Sequence, residues 1–392
     1  LNKSILNTGV QSFIDNNINT DIVSVLLKKS NFSDISSKEL AQQIESKKKC
    51  VKKLPSWFNT SNIYYPKKLN IEQTSSELAA QYKSEIIDGK SIADLTGGFG
   101  VDSYYFSKKF KSVFHCEIDT ELSTISKHNF EVLKSKNITS IQGDGLEFLK
   151  TTTTKFDWLY LDPSRRNSKK GKIFHLSDCN PDITKNLNLL LSKSDKILLK
   201  SSPLLDISSG LKPLAYVKEI HIVAIHNEVK ELLWLMERGF TDSIQIKAVN
   251  INTYETQKFD FELGDEKKAK AKIEKPLSYL YDPNVAILKS GAFKLTGCRF
   301  DLNKLHEHTH LYTSDKLIEF PGRCFRINSV TPFSKKCMKK YSGTKINLAV
   351  KNFPENAVSI KNRFNIRDGG KTYVFIAKTV QEESVVLDCH KV

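Results

Sequence analysis

Asp94-Leu95-Thr96-Gly97-Gly98-Phe99-Gly100 is the stretch that decides how this chain is read. It follows the short apolar run Ser91-Ile92-Ala93 and precedes a helix-like segment from Val101 to Phe110. A strand that ends in an acid, turns through three glycines and enters a helix builds a nucleotide pocket. Glycine lets the backbone approach a ligand closely and take φ > 0. The helix start adds N–H groups that have no partner inside the helix. The pattern is not G-x-G-x-x-G, and G-x-x-x-x-G-K-[ST] is absent, which argues against a nucleoside triphosphate loop.

Moving outward, Val113-Phe114-His115-Cys116-Glu117 is a second strand ending in an acid, and Trp158-Leu159-Tyr160-Leu161-Asp162-Pro163 is a later one ending in Asp-Pro. Strand windows at 91–95, 112–118, 138–142, 156–161, 196–200 and 217–225 alternate with helices such as 120–135 and 182–192. That alternation predicts an α/β fold with a mostly parallel sheet covered on both faces. The runs 231–236 and 244–251 are expected to pair as an antiparallel hairpin at the sheet edge. Ligands of open α/β sheets bind at the carboxyl ends of the strands, and the acids fall there. Glu117 can accept both ribose hydroxyls of a nucleoside. Asp144, in Gln142-Gly143-Asp144-Gly145, can take an adenine amino group. Asp94, Thr96, Gly97, Gly98 and Gly100 belong to the first loop, and Asp162 closes the fourth strand. Asp102 and Asp119 are read as a helix-start charge and a cap. An NAD enzyme would also place an acid after its second strand, but would not need Asp-Pro after the fourth.

This order resembles the class I S-adenosylmethionine-dependent methyltransferases, whose sheet is Rossmann-like with a reversed last strand. Asp162-Pro163-Ser164-Arg165-Arg166 resembles the D/N-P-P-[YF] motif of base-modifying members, in which a carbonyl and a carboxylate or amide orient the accepting nitrogen and an aromatic stacks on a flipped base. Ser164 and Arg165 depart from it. Arg165 and Arg166 could hold phosphate or a carboxylate, or serve as ion-pair partners. Asp162, with Pro163, is the expected catalytic group, since positioning of an activated donor supplies much of the rate. The longer set Gln73-Thr74-Ser75-Ser76-Glu77, Asp94 to Asp102, Tyr160 to Arg166, Asn227 to Leu232, Tyr281 to Ile287, Asn352-Phe353-Pro354 and Arg367-Asp368-Gly369-Gly370 is similar to a bacterial methyltransferase family with a C-terminal THUMP-like domain. The resemblance implies S-adenosylmethionine as cofactor and RNA, tRNA or rRNA, as substrate. A small-molecule or protein methyltransferase and a non-catalytic RNA-binding protein that retains the cofactor fold are the alternatives.

The flanks support a polyanion. Residues 1–70 hold 11 basic against 5 acidic residues, 71–290 hold 31 against 30, and 291–392 hold 18 against 9. Almost all of the +16 excess therefore sits at the two ends. In the C-terminal part, Lys335, Lys336, Lys339, Lys340, Lys345, Arg363 and Arg367 interleave with Phe333, Tyr341, Phe353 and Phe364, and charge with aromatics can grip backbone and stack on bases. Lys339, Lys340, Arg363 and Arg367 join Arg165 and Arg166 as candidate substrate contacts. A Lys-rich solvated face is the plainer reading.

The expected organisation is a helical domain at 1–85, a methyltransferase domain at 86–265, a charged linker at 264–275 and a THUMP-like α+β domain at 276–392. Within the last, 283–293 reads as one helix with Pro283 in its first turn, and strands are expected near 316–320, 324–330, 345–350, 372–379 and 384–389. Leu54 to Phe58 reads as a break. The seven cysteines are scattered without a C-x-x-C pair, which supports neither zinc nor a disulfide framework. Cys179 reads as a buried structural thiol rather than a nucleophile. His115 and His175 have no partners at ligand spacing, and His306-Glu307-His308-Thr309-His310 is placed in a loop, so no metal is expected. The N-terminus lacks an apolar h-region and no apolar run of transmembrane length occurs, so a cytoplasmic protein without membrane attachment is expected.

Overall fold

The computed structural model describes residues 1–165 and 175–392. The chain divides into two compact units: 1–219 with 230–242, and 220–229 with 243–392.

The first unit is built on strands β1 (Ser91–Asp94), β2 (Ser112–Glu117), β3 (Ile138–Gln142), β4 (Trp158–Leu161) and β5 (Lys196–Ser201). Their order runs β5-β4-β1-β2-β3, and every pairing is parallel. All four residues of β4 are buried, as are Ile197, Leu198 and Leu199 of β5, which is the signature of a parallel strand covered on both faces. Two further strands follow in the chain, β6 (Val217–Ile225) and β7 (Glu228–Glu237), and β7 runs antiparallel along the free edge of β5, from Ser201 opposite Leu232 to Lys196 opposite Glu237. The expected hairpin between the runs 231–236 and 244–251 does not form. Its first half lies on β5, and Gln245–Ile251 pairs instead with Thr256–Glu262. Alternation alone identified both strands but could not choose their partners.

Helices before β1 share a core with the sheet's own helices. Ser37–Lys53 starts with a capping box, Ser36 bonding the Glu39 N–H and Glu39 returning to the Ser36 N–H. Its Leu40, Ala41, Ile44 and Cys50 face inward. They join a cluster with Trp57, Phe99, Val101, Tyr105, Leu122 and Ile125. Trp57 lies 4.6 Å from Phe99 of the glycine-rich turn, ring centre to ring centre. The break at 54–58 is real only at Leu54, since Pro55–Phe58 is a short helix with Pro in its permitted first position. Ser76 caps Glu77–Glu85 through the Ala79 N–H, as its type suggests.

The second unit contains a seven-stranded sheet in the order 303–306, 309–314, 279–283, 322–332, 384–391, 367–378, 345–351. Its last pair is parallel and its other pairs are antiparallel. Pro283 ends a strand here, and Asn284 caps a helix at Val285–Ser290. Gly291, at φ +78°, ends that helix, and a second one spans Phe293–Arg299, so the expected single helix over 283–293 is two. Residues 316–320 are not a strand. The histidine tract lies not in a loop but in a hairpin of Asn303–His306 and Thr309–Ser314. The 264–275 segment contains a short helix, Asp265–Lys268.

Candidate active site

A cavity of about 700 Å³ opens at the carboxyl ends of β1, β2, β4 and β5, a volume suited to a nucleoside-sized ligand. One side is the glycine-rich turn. Asp94 lies beneath it rather than in the cavity wall: its Oδ1 accepts from the Thr96 N–H at 3.1 Å and its Oδ2 from the Ser103 hydroxyl at 2.7 Å. Burial pushes the Asp94 carboxyl up to about 7. Thr96 lines the cavity, and its hydroxyl accepts from the Asp162 N–H at 2.7 Å, tying the ends of β1 and β4 together. Gly97 packs on His115, where a Cβ would stand 2.3 Å from the ring. Gly98, at φ +56°, presents bare backbone to the cavity. Gly100, at φ +85°, caps the helix Val101–Ser107 outside the wall, and a Cβ there would meet Phe130 at 2.4 Å.

Glu117 ends β2 in the cavity wall. Its Oε2 accepts from the Gly98 N–H and its Oε1 from the Asp119 N–H, both at 2.7 Å. Each oxygen keeps a further lone pair. Asp144 also faces the cavity, with its Oδ1 capping the next helix through the N–H groups of Leu146 at 2.7 Å and Glu147 at 3.2 Å. Asp119 caps its helix through the Leu122 N–H, as expected. Ile118, 66% exposed, and Leu122 supply apolar wall between the two acids.

The opposite side holds Asp162 and Pro163, and with them a group of charges that sequence reasoning missed. Asp162 is ion-paired with Lys200 at the end of β5. Lys200 lies 4.0 Å from Glu231 of β7. Glu231 takes two hydrogen bonds at 2.9 Å from Lys83, which is fully buried. Lys83 also reaches Asp102 at 3.2 Å and the Ser75 hydroxyl at 3.0 Å. Asp102 accepts from Ser75 at 2.8 Å and from the Tyr160 hydroxyl at 2.9 Å. Burial alone would raise the Asp102 carboxyl, but Lys83 and Lys200 outweigh it and hold its pKa below the usual value. Asp102 is thus part of a buried network, not only a charge at a helix start. The strand-end rule that found the acids also finds Lys200. Lys83 and Ser75 carry no such signal, because their partners are brought to them only by the fold.

The remaining candidates divide. The Arg165 backbone pairs with Cys179 in a two-residue ladder, and Arg166 lies outside the described residues. Lys339, Lys340, Arg363 and Arg367 belong to the second unit. Lys340 pairs with Asp388 at 3.4 Å, Arg363 with Glu355 at 2.9 Å, and Arg367 donates to the Gly343 carbonyl at 3.1 Å. The aromatics interleaved with them pack inward: Tyr341 and Phe364 are buried, and Phe333 and Phe353 pack on the same core, 4.7 Å apart. Those rings are therefore spent on the core rather than presented for stacking. Cys179 is buried, with its sulfur 3.8 Å from the His175 carbonyl oxygen. Among the described residues no cluster of His, Cys, Asp and Glu could hold a metal, and no helix is long and apolar enough to cross a membrane.

A mostly parallel sheet with a reversed last strand, and acids at the ends of β2 and β4, define a class I methyltransferase fold. The chain is similar over its whole length to the crystal structure of a "putative methyltransferase" from Porphyromonas gingivalis W83, with 31% identity, 98% of that chain covered and a TM-score of 0.89. Residues 279–321 match a ferredoxin-like domain family and 322–391 a THUMP domain-like family. A Mycobacterium tuberculosis protein described as an uncharacterized S-adenosylmethionine-dependent methyltransferase is 20% identical over 249 residues, 63% of this chain and 65% of that one. The chain thus spans 65% of the length of that curated relative. An uncharacterized RNA methyltransferase of Mycoplasma mobile is 33% identical over 91 residues, 23% of this chain and 25% of its own. The chain belongs to the family of class I S-adenosylmethionine-dependent methyltransferases that carry a C-terminal THUMP-like domain.

The residues present fit the cofactor of that family. The free lone pairs of Glu117 suit the two ribose hydroxyls. Asp144 and Ile118 suit an adenine, one by its amino group and the other by its face. The bare backbone of Gly98 leaves room beside them.

Proposed function

We propose that this protein transfers the methyl group of S-adenosylmethionine to RNA, tRNA or rRNA, with the C-terminal domain assisting RNA binding. The observation that carries the reading is the position of Asp162-Pro163. It lines the same cavity as Glu117 and Asp144 but on the other side, next to buried charge. Bound there, the cofactor supplies an activated methyl group on a sulfonium. The protein's share is positioning. Glu117 and Asp144 fix the nucleoside end, the Thr96 hydroxyl fixes the backbone of Asp162, and the Asp162 carboxylate receives the acceptor's hydrogen bond and its proton. The basic excess of residues 291–392 and the match to a THUMP domain-like family support an RNA substrate.

The test incubates purified protein and radiolabelled S-adenosylmethionine with tRNA, rRNA, protein and small-molecule fractions from cells lacking this protein. Label in an RNA fraction is the expected result. Label only in protein or small molecules would replace the RNA reading with one of those substrates. Cofactor binding without any label would favour a non-catalytic role.

A further inference from the structure

The basic excess of residues 1–70 has no part in the function proposed above, and much of it sits at the end of one helix. Ser37–Lys53 ends in Lys47-Lys48-Lys49-Cys50-Val51-Lys52-Lys53. Lys48, Lys49, Lys52 and Lys53 fall within about 140° of the helix circumference. Lys47 falls outside that arc, is buried and pairs with Asp15. Lys49 is balanced by Glu72 at 3.1 Å. Lys48 and Lys52 are exposed and make no hydrogen bond or ion pair among the described residues. This face runs up to the cavity. The Lys53 Nζ donates to the Glu72 carbonyl at 2.7 Å, and the next two residues, Gln73 and Thr74, are cavity wall. Burial, and then the charges of Lys200 and Lys230, push the Lys53 ammonium down to about 8. Lys200 and Lys230 both line the cavity. Lys200 is matched by Asp162, and an anion beside Lys53 and Lys230 turns their repulsion into attraction.

We propose that the lysine face of Ser37–Lys53, with Lys230 at the cavity, holds the phosphates that flank the nucleotide to be methylated. This rests on the RNA methyltransferase reading above. A nucleotide inside the cavity keeps its chain attached on both sides, so a phosphodiester backbone must cross the rim. Lys48 to Lys53 covers about 7.5 Å of helix, the rise of roughly two nucleotides in a stacked strand. An anionic membrane also attracts lysines, but a helix that lies on one needs an apolar stripe to insert. Here Leu40, Ala41, Ile44 and Cys50 are spent on the core, and Val51, 44% exposed, stands alone among the lysines. The N-terminal helices thus bind substrate as well as cover the sheet's own helices.

The experiment compares the parent protein with Lys48→Ala/Lys52→Ala, with the same pair plus Lys53→Ala, and with Lys109→Ala/Lys111→Ala as the control. Lys109 and Lys111 are also exposed but precede β2, at the amino ends of the strands and away from the cavity. Three quantities are measured: Kd for a short fluorescent single-stranded RNA over a range of salt, KM for the RNA fraction that takes label, and S-adenosylmethionine affinity by calorimetry. At roughly 0.7 per single-strand phosphate, the slope of log Kd against log salt should fall by about 1.4 in the double variant and about 2 in the triple. KM should rise roughly tenfold in the double variant, with cofactor affinity changed less than about threefold. The control should keep the parent slope and KM. If the triple variant fails to fold, by near-UV circular dichroism, the double variant decides, because Lys48 and Lys52 hold nothing in place. A parent-like slope and KM in the double variant, or an equal loss in the control, overturns the proposal and leaves the RNA reading standing. An unchanged RNA slope with lost binding to phosphatidylglycerol vesicles gives the face to a membrane and overturns it too. Label absent from every RNA fraction overturns both.

Discussion

Glu117 and Asp162 face the same cavity, and two substitutions test the different tasks proposed for them. Glu117→Ala removes the acceptor assigned to two hydroxyls and frees the N–H groups of Gly98 and Asp119. Calorimetry should show the S-adenosylmethionine Kd rising by about 100-fold. Asp162→Ala should leave that Kd within a few-fold and lower kcat by at least about 100-fold. Normal turnover in the second variant would remove Asp162 from the chemistry. Two buried residues under the turn make stability depend on pH in opposite senses. Burial pushes His115 from 6.5 down to about 4, and neither ring nitrogen has a hydrogen-bond partner among the described residues. The unfolded chain takes up that proton first, so this stability is complete above 6.5 and lost as pH falls through 4. Asp94, raised by burial from 3.8 to about 7, does the reverse: its share is full below 3.8 and lost as pH rises through 7. Asp94→Asn should therefore be more stable than the parent near pH 8, by on the order of 4 kcal/mol, and equal to it near pH 4. Urea unfolding at both pH values measures the difference.

Elements are held to one another at the strand ends by close backbone approach. Gly145 begins the helix after β3, and a Cβ there would stand 2.4 Å from the Leu95 carbonyl oxygen and 2.7 Å from its Cα. Backbone cannot move aside as a side chain can, so Gly145→Ala must push the glycine-rich turn. The variant should lose about 2 kcal/mol in urea unfolding and bind S-adenosylmethionine at least about tenfold more weakly. Much of this scale was legible in the sequence. The windows 138–142 and 217–225 coincide with strands, and 91–95, 112–118 and 196–200 miss by a residue at an end. Strand-end acids mark themselves, because apolar runs stop at them. The Asp102–Lys83–Glu231–Lys200 network does not, because its members come from one helix before the sheet, one helix within it, and strands β5 and β7. The partner of β7 was illegible for a similar reason: an apolar strand pairs equally well with several neighbours until the whole sheet exists. In the second unit, Gly291 reads equally as a tolerated helix interior or as an end, which is why 283–293 looked continuous.

At the scale of the whole molecule, the N-terminal helices and the sheet belong to one compact unit. A chain beginning at residue 86 would expose the apolar surfaces of Phe99, Val101, Tyr105, Leu122 and Ile125 that the helices cover. It would also leave Asp102 and Glu231 without Lys83. Removing one partner of a buried pair costs about 3–5 kcal/mol, a large part of a typical domain's stability. Such a chain should be insoluble or lack near-UV circular dichroism, whereas a native spectrum with cofactor binding would make residues 1–85 a separate domain. The second unit has its own expectation. If its basic surface grips RNA, Lys339→Ala with Lys340→Ala should weaken RNA binding and reduce the slope of log Kd against log salt by about 1 to 2. An unchanged slope would assign those lysines to solubility alone.

The span between Lys83 and Glu231 sets a schedule for synthesis. The two residues lie 148 positions apart, which a ribosome covers in roughly 7–30 s at ordinary speeds. During that interval the emerging chain already holds the glycine-rich turn, Asp102 and Lys83, but not the strand that completes their charge. The first unit of the nascent protein therefore stays unfinished until β7 has left the exit tunnel.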